Sequence, residues 1–167
     1  MRKALYILGD LDDRDIIFLS RAGSVRQLAA NAPLITAGEA VQDLFFITDG
    51  TFDVLSRSGD RLAELGQGDV TGEMSFIEKR TPDASVVARA PGGRVLAVPR
   101  AAMLEAFERD TAMAARFYRA LAVFLSDRLR SMSGGRGADI DEGLLDNMQQ
   151  AGERFVRLVR MLEGHHA

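Results

Sequence analysis

Cysteine is absent from this 167-residue chain. Neither a disulfide framework nor a thiolate metal site can be built, and a reducing compartment is compatible with the sequence. Histidine is nearly absent, its only examples being His165 and His166 at the tail. That removes the ligands of a histidine-rich metal site and the base that a serine nucleophile needs, so an enzyme is not expected and no cofactor is assigned. No apolar run approaches the length of a membrane span. The opening MRKALYILGDLDDRD starts basic, but its apolar run ALYIL is too short for a signal-peptide core and acids follow at once, so the expected location is the cytoplasm. An excess of positive charge is also missing: 21 Lys and Arg stand against 24 Asp and Glu, for a net charge of -3. Global electrostatics would not hold such a chain on nucleic acid.

What is present suits one domain with a helical appendage, long enough to bury about two-thirds of its unfolded surface. Asp12 at an N-cap, Asp15 three residues on and Gly23 at the far end describe a short capped helix. Capping explains the acids of DLDDRD better than a calcium loop, which would need a glycine at its sharp turn and a closing glutamate. From Ser24 to Pro99 the texture changes to short β-type runs separated by glycine. They are SVRQL, PLIT, DLFFIT, TFDVLS, RLAEL, ASVVARA and RVLAVP, and Asp49-Gly50 between two of them is a strong hairpin signal. Strands of this number and spacing predict a mainly β fold, a sandwich, a jelly roll or a barrel.

After Pro99 the period becomes helical. RAAMLEAFERD is a short amphipathic helix and TAMAARFYRALAVFLSDRLRSMS a long one, with Ala114, Tyr118, Leu121, Leu125, Leu129 and Met132 along one apolar stripe. Arg116, Arg119, Arg128, Arg130 and Arg136 form a basic stripe that reads as a solvated face balanced by Glu105, Glu108, Asp110 and Asp127. A glycine-rich linker at 133–138 precedes a last amphipathic helix at 139–163, whose Leu145, Met148, Gly152, Phe155, Val159 and Leu162 make a heptad seam. Two apolar stripes exceed what one roll covers, so a homodimer is expected, part of it replaceable by folding back within the chain.

The stretch GQGDVTGEMSF places Gly66, Gly68 and Gly72 around a turn, with Glu73 opening a single helical turn. Free amides at such a turn form an anion cradle, and the glutamate beside them can accept hydrogen bonds from vicinal or ribose hydroxyls. An anion cradle next to a hydroxyl acceptor suits a sugar phosphate.

The order of elements and this cassette resemble the cyclic-nucleotide-binding domain family, seen in the catabolite activator protein, the regulatory subunit of protein kinase A and cyclic-nucleotide-gated channels. The resemblance covers about residues 12–132, in a domain drawn at 1–132, and is carried by Gly38, Gly50, Gly66-Gln67-Gly68-Asp69, Gly72-Glu73-Met74-Ser75-Phe76 and Ala84-Ser85-Val86-Val87-Ala88. It implies a jelly-roll-like β-roll of the eight-stranded type from Ser24 to Pro99, flanked by helices, and a regulatory sensor that holds a cyclic mononucleotide with Gly72, Glu73, Met74, Ser75, Arg80, Ala84, Ser85 and Val86. In such a site the glutamate takes the ribose hydroxyl, the phosphate sits at the Ala-Ser pair, and the helices after the roll carry the signal. One family residue is missing. Without gaps, Pro82 stands where the phosphate-binding arginine is expected, with Asp83 after it. Arg80 is the arginine near enough in sequence to stand in, Lys79 a weaker substitute, and Asp83 is expected to point outward. A roll that binds no nucleotide and docks a partner or a second copy is the alternative reading. The stretch after Met132 leaves no room for a winged helix-turn-helix, so direct DNA binding is not expected, nor is membrane contact. A protein effector is the further partner the resemblance implies.

Overall fold

The computed structural model describes the backbone of residues 8–132 and 142–164, with side chains at 8–126 and 149–164. The glycine-rich linker lies outside the described residues, as do the side chains of Leu129, Met132, Leu145, Met148, Arg128, Arg130 and Arg136. In chain order the elements are α1 (Asp13–Ala22), β1 (Ser24–Ala29), β2 (Pro33–Ile35), β3 (Asp43–Leu55), β4 (Arg61–Leu65), β5 (Val70–Thr71), α2 (Glu73–Glu78), β6 (Ser85–Pro99), α3 (Arg100–Arg109), α4 (Thr111–Met132) and α5 (Glu142–Gly164). They divide into a β unit, Arg21–Leu104, and a helical unit made of the described residues up to Ser20 and from Glu105 onward.

The β unit is an antiparallel β-roll with flanking helices. Its sheet has six strands in the order β1-β6-β3-β4, with β2 added to β6 and β5 to β3. The long strands β3 and β6 run side by side for almost their whole length. The first half of β3 also pairs with β5 and its second half with β4. Alternation along these strands sends Phe45, Ile47 and Phe52 of β3 inward to meet Val86, Ala88, Val95 and Ala97 of β6, with Leu28, Ile35 and Leu65 completing the core. On the opposite face Leu44, Phe46, Leu96 and Val98 are buried as well. The two edges of β3 are tied outside the core by ion pairs. Asp53 takes Arg61 at 2.9 Å and is also paired with Arg89, which reaches Glu64 at 3.0 Å. The hydrogen bond from Arg89, with the charges of Arg89 and Arg61, outweighs desolvation and holds the Asp53 carboxyl below the ordinary carboxylate range.

The hairpin expected at Asp49-Gly50 does not form, because β3 continues straight through it. The register of β3 against β6 shifts on both sides of Gly50, and opposite it stands Gly93, in the Pro91-Gly92-Gly93 stretch that separates ASVVARA from RVLAVP in the sequence. A Cβ on Gly50 would fall 2.5 Å from the Gly92 carbonyl oxygen, and one on Gly93 would fall 2.6 Å from the Phe52 ring. These glycines therefore let two long strands bend against each other at a bulge. Four expected strands merge into two for that reason.

The helical unit begins with the expected cap. Asp12 Oδ1 accepts the amides of Arg14 and Asp15, and the Asp12 amide donates back to Asp15 Oδ2 at 2.9 Å. The result is a reciprocal capping box around the start of α1. Asp15 also accepts two hydrogen bonds from Arg116 of α4, at 2.8 and 2.9 Å, and Arg119 lies 3.9 Å from Asp10. The described part of the basic stripe is thus answered by the acids of DLDDRD. Burial pushes the Asp12 carboxyl up, but the Asp15 and Arg14 amides and the Arg116 charge outweigh it, so the group titrates below the ordinary range.

Both apolar stripes are shifted from their expected positions. On α4 the buried side chains are Met113, Phe117, Ala120, Leu121 and Phe124, whereas Tyr118 is exposed and Ala114 and Leu125 are half-buried. Phe107, Phe117 and Tyr118 form an aromatic cluster with centroids 5.3 to 6.0 Å apart. Among the described side chains of α5 the buried residues are Ala151, Leu158 and Leu162, while Phe155 and Val159 are half-buried. Arg154 of α5 donates to the Leu8 and Gly9 carbonyls at 3.0 and 2.7 Å, and Arg157 reaches Asp13 at 2.8 Å. The last helix therefore folds back on the start of its own chain. No described helix is long and apolar enough to cross a membrane.

Candidate functional site

The cassette spans β5, α2, the loop 79–84 and the first residues of β6. Its entry is dictated by Gly72, whose φ of 90° lies in the left-handed region and whose hypothetical Cβ would meet the Asp43 carbonyl oxygen at 2.7 Å. Only glycine permits both the dihedral and that approach to β3. The carbonyl of Gly72 then accepts the Phe76 amide at 3.0 Å, and α2 runs for six residues, longer than the single turn expected. Phe76 anchors the helix: it is buried, and the Arg100 guanidinium lies over its ring at 5.9 Å. Lys79 ends the helix at φ 54°, its amide returning to the Ser75 carbonyl at 3.2 Å.

This short helix sorts the expected site residues into two sets. Glu73 and Ser75 are buried, whereas Met74 and Ile77 are exposed together on one side. A buried carboxylate on the first residue of the helix is the arrangement a hydroxyl acceptor requires, because a fixed acceptor loses little entropy on binding. At the other end of the cassette Ser85 and Val86 open β6, Val86 pointing into the core of the roll. Ser85 Oγ accepts the Ala37 amide at 3.0 Å, and the Pro82 carbonyl accepts the Gly38 amide at 2.8 Å. The loop 36–39 is therefore docked edge-on against Pro82–Ser85. The Ala84-Ser85 corner is held in place from outside.

Charge at this corner is distributed differently from expectation. Arg80 is 73% exposed and lies 3.6 Å from Glu78, on its own segment. Asp83 points to solvent, as expected, with its carboxylate 3.6 Å from Arg57 and side-chain exposures of 85% and 66%. Arg57 belongs to the turn between β3 and β4 and had no place in the sequence argument. The same guanidinium lies 3.9 Å from the Cβ position of Gly38, so it stands beside both loops that flank Ser85. Its distance from Pro82 along the chain hides it from local motif reading. The signal that could have found it is the lone arginine in SRSGD, a tight turn joining strands that border the cassette.

Among the described residues no cluster of His, Cys, Asp and Glu is disposed to hold a metal ion. What the arrangement provides is a buried carboxylate, a hydroxyl at a rigid corner and a nearby exposed guanidinium.

Comparison with known proteins agrees with this geometry. The cyclic nucleotide-binding domain family matches residues 25–110, just over half of the chain and the whole cassette. Glutaminase 2 of Bradyrhizobium diazoefficiens is 34% identical over 123 residues, covering 74% of this chain and 19% of that protein. The chain thus spans about a fifth of the length of this curated relative. Among solved structures, a cyclic nucleotide-binding domain from Methylobacillus flagellatus superposes with a TM-score of 0.69 at 20% identity, covering 83% of this chain and 85% of the other. The Thermus thermophilus catabolite activator protein superposes with a TM-score of 0.61 at 21% identity, covering 93% and 85%. At these identities the structural matches bear on the fold alone. By the match over its β-roll and cassette, the chain belongs to the cyclic nucleotide-binding domain family.

Proposed function

We propose that this chain is a sensor module that holds a cyclic mononucleotide between Gly72 and Val86 and passes the occupancy on through its C-terminal helices. The observation that carries this reading is the pairing, in one cassette of a cyclic nucleotide-binding fold, of buried Glu73 with the Ser85 corner. In this reading Glu73 accepts from the ribose hydroxyl, and the amides and hydroxyl around Ala84-Ser85 take the cyclic phosphate. Ser75 and Val86 shape the wall, and Met74, on the exposed side of the helix, has no assigned contact in it. The module regulates rather than catalyses. Its effector is a separate protein or domain, consistent with a relative in which the matching part is about a fifth of the whole. Arg116 and Arg119 are engaged by Asp15 and Asp10, so we assign them no nucleic-acid contact.

Calorimetric titration with the 3′,5′-cyclic forms of AMP, GMP, CMP and UMP tests the reading. Saturable binding of at least one is expected, lost or weakened in Glu73→Ala and tightened in Pro82→Arg. Lacking the family arginine, the wild type should bind about ten- to a hundredfold more weakly than the Pro82→Arg variant, the worth of one charge-assisted hydrogen bond. A second reading, a roll that docks a partner without nucleotide, is favoured by Pro82 at the arginine position with its carbonyl already bonded to Gly38. It replaces the first if wild type and Pro82→Arg both fail to bind at millimolar ligand.

We further propose that the exposed flank of α4, with Tyr118 beside half-buried Ala114 and Leu125, seats a second copy of the chain. Sedimentation should show a dimer whose population rises with concentration, and a monomer mass at every concentration refutes it.

A further inference from the structure

Resting on the sensor reading, we propose that Arg57 is the cation that meets the anionic group of the ligand, exchanging Asp83 for it on binding. Among the described residues three cations lie on or beside the loop that carries Pro82, and their surroundings differ. Lys79 closes α2 in a left-handed conformation, its amide committed to Ser75. Arg80, two residues beyond the helix end, lies 3.6 Å from Glu78 of its own segment. Arg57 comes from another part of the chain, and its guanidinium stands 3.6 Å from Asp83 and 3.9 Å from the Cβ position of Gly38. Gly38 in turn donates its amide to Pro82, and its neighbour Ala37 donates to Ser85. Arg57 therefore stands beside both loops that meet at Ser85, the one carrying Asp83 and the one carrying Gly38.

The turn that carries Arg57 is closed by hydrogen bonds, while the Arg57 side chain is exposed. Ser56 and Asp60 close the turn with a 2.8 Å backbone hydrogen bond, Gly59 donates to the Ser56 carbonyl at 3.0 Å, and Ser58 Oγ bonds Asp60 at 2.6 Å. A rigid turn with a long, solvated side chain positions a charge without committing it. The separation from Asp83 exceeds that of a charge-assisted hydrogen bond, and both partners are exposed, so the pair holds its members only weakly. A cyclic phosphate at Ala84-Ser85 offers the guanidinium two oxygens in a less hydrated place, where the same charge is worth more. Asp83 acts as a parking site: it neutralises Arg57 in the empty state and repels an anion that arrives without displacing it.

The test is the affinity of the full chain for whichever of the four cyclic mononucleotides it binds best, together with the matching nucleoside, which lacks the phosphate. Arg57→Ala should weaken the cyclic nucleotide about ten- to a hundredfold and leave the nucleoside unchanged. Asp83→Asn should tighten the cyclic nucleotide a few-fold, and Arg80→Ala should stay within about twofold. If wild type binds and Arg57→Ala binds equally well, or if Arg80→Ala shows the large loss, the assignment of Arg57 is overturned while the sensor reading stands. Equal loss for nucleotide and nucleoside in Arg57→Ala also overturns it, by showing a general disturbance of the pocket. Failure of wild type and Pro82→Arg to bind any of the four overturns both.

Discussion

In the helical unit Arg116 grips Asp15 through two hydrogen bonds near 2.8 Å, and Asp15 is 2% exposed. At the cassette Arg57 stands 3.6 Å from Asp83 in open solvent. The residue types are the same and the physics is opposite. A buried carboxylate must keep its partner, because an uncompensated charge inside the fold costs several kcal/mol. A solvated one gains little from its partner and can give it up. The first pair holds α1 against α4, and the second leaves a charge available at the site proposed for ligand. The position of a pair relative to water, more than its chemistry, separates structural from functional use of the same two side chains.

The largest effect should come from breaking the buried pair. Arg116→Ala strands Asp15 inside the helical unit and should cost about 3 kcal/mol, read by urea denaturation at neutral pH. The same change should flatten the acid side of the stability profile. Asp12, 3.2 Å from Arg116, titrates below its ordinary value in the folded state. Its contribution is therefore complete above the unfolded carboxylate pKa of about 4 and disappears as pH falls through the lower folded value. Removing Arg116 weakens that dependence, and an unchanged profile would show that the amide hydrogen bonds alone hold Asp12 down. Next in size is Gly72→Ala. A left-handed φ with an L side chain costs about 1–2 kcal/mol, and the clash with the Asp43 carbonyl adds to it, so about 2–3 kcal/mol is expected in the same assay. A neutral result would mean that the approach of α2 to β3 is looser than 2.7 Å suggests.

Legibility in the sequence followed the range of the interactions. The cap of α1 was readable because its acceptor and donors lie within four residues, Asp12 to Asp15. The mainly β character of Ser24 to Pro99 was readable from alternation and glycine spacing, whereas the roll was readable only through the resemblance carried by the cassette. Asp49-Gly50 misled because its glycine answers to Gly92 and Gly93, far away in the chain, and no local signal separates a hairpin glycine from a bulge glycine. On α4 the apolar arc is wide: Met113, Ala114, Phe117, Tyr118, Leu121, Phe124 and Leu125 admit two neighbouring stripes, and periodicity cannot choose between them. The structure buries the one through Met113 and Phe117. At the candidate site Gly72, Glu73 and Ser85 were legible as a motif, whereas Arg57 was not, since its place depends on how the β3–β4 turn falls beside the loop at Pro82.

The smallest effect sharpens the comparison most. If the pair at the cassette is held as loosely as its geometry implies, Arg57→Ala and Asp83→Asn should each change stability by no more than about 0.5 kcal/mol, the range of exposed ion pairs. Raising salt from low to physiological strength should change stability little, since surrounding water has already reduced the pair's Coulomb attraction to about 1 kcal/mol or less, leaving ions little to remove. Arg116→Ala, by contrast, should keep most of its penalty at high salt, because Asp15 is shielded from the ions. The two variants at the cassette thus become clean reagents for the binding assay, with affinity moving while the unfolding midpoint does not. Should either destabilise by 1.5 kcal/mol or more, the Arg57–Asp83 contact is a structural tie of the cassette loop. The contrast between a committed and an uncommitted arginine would then fail.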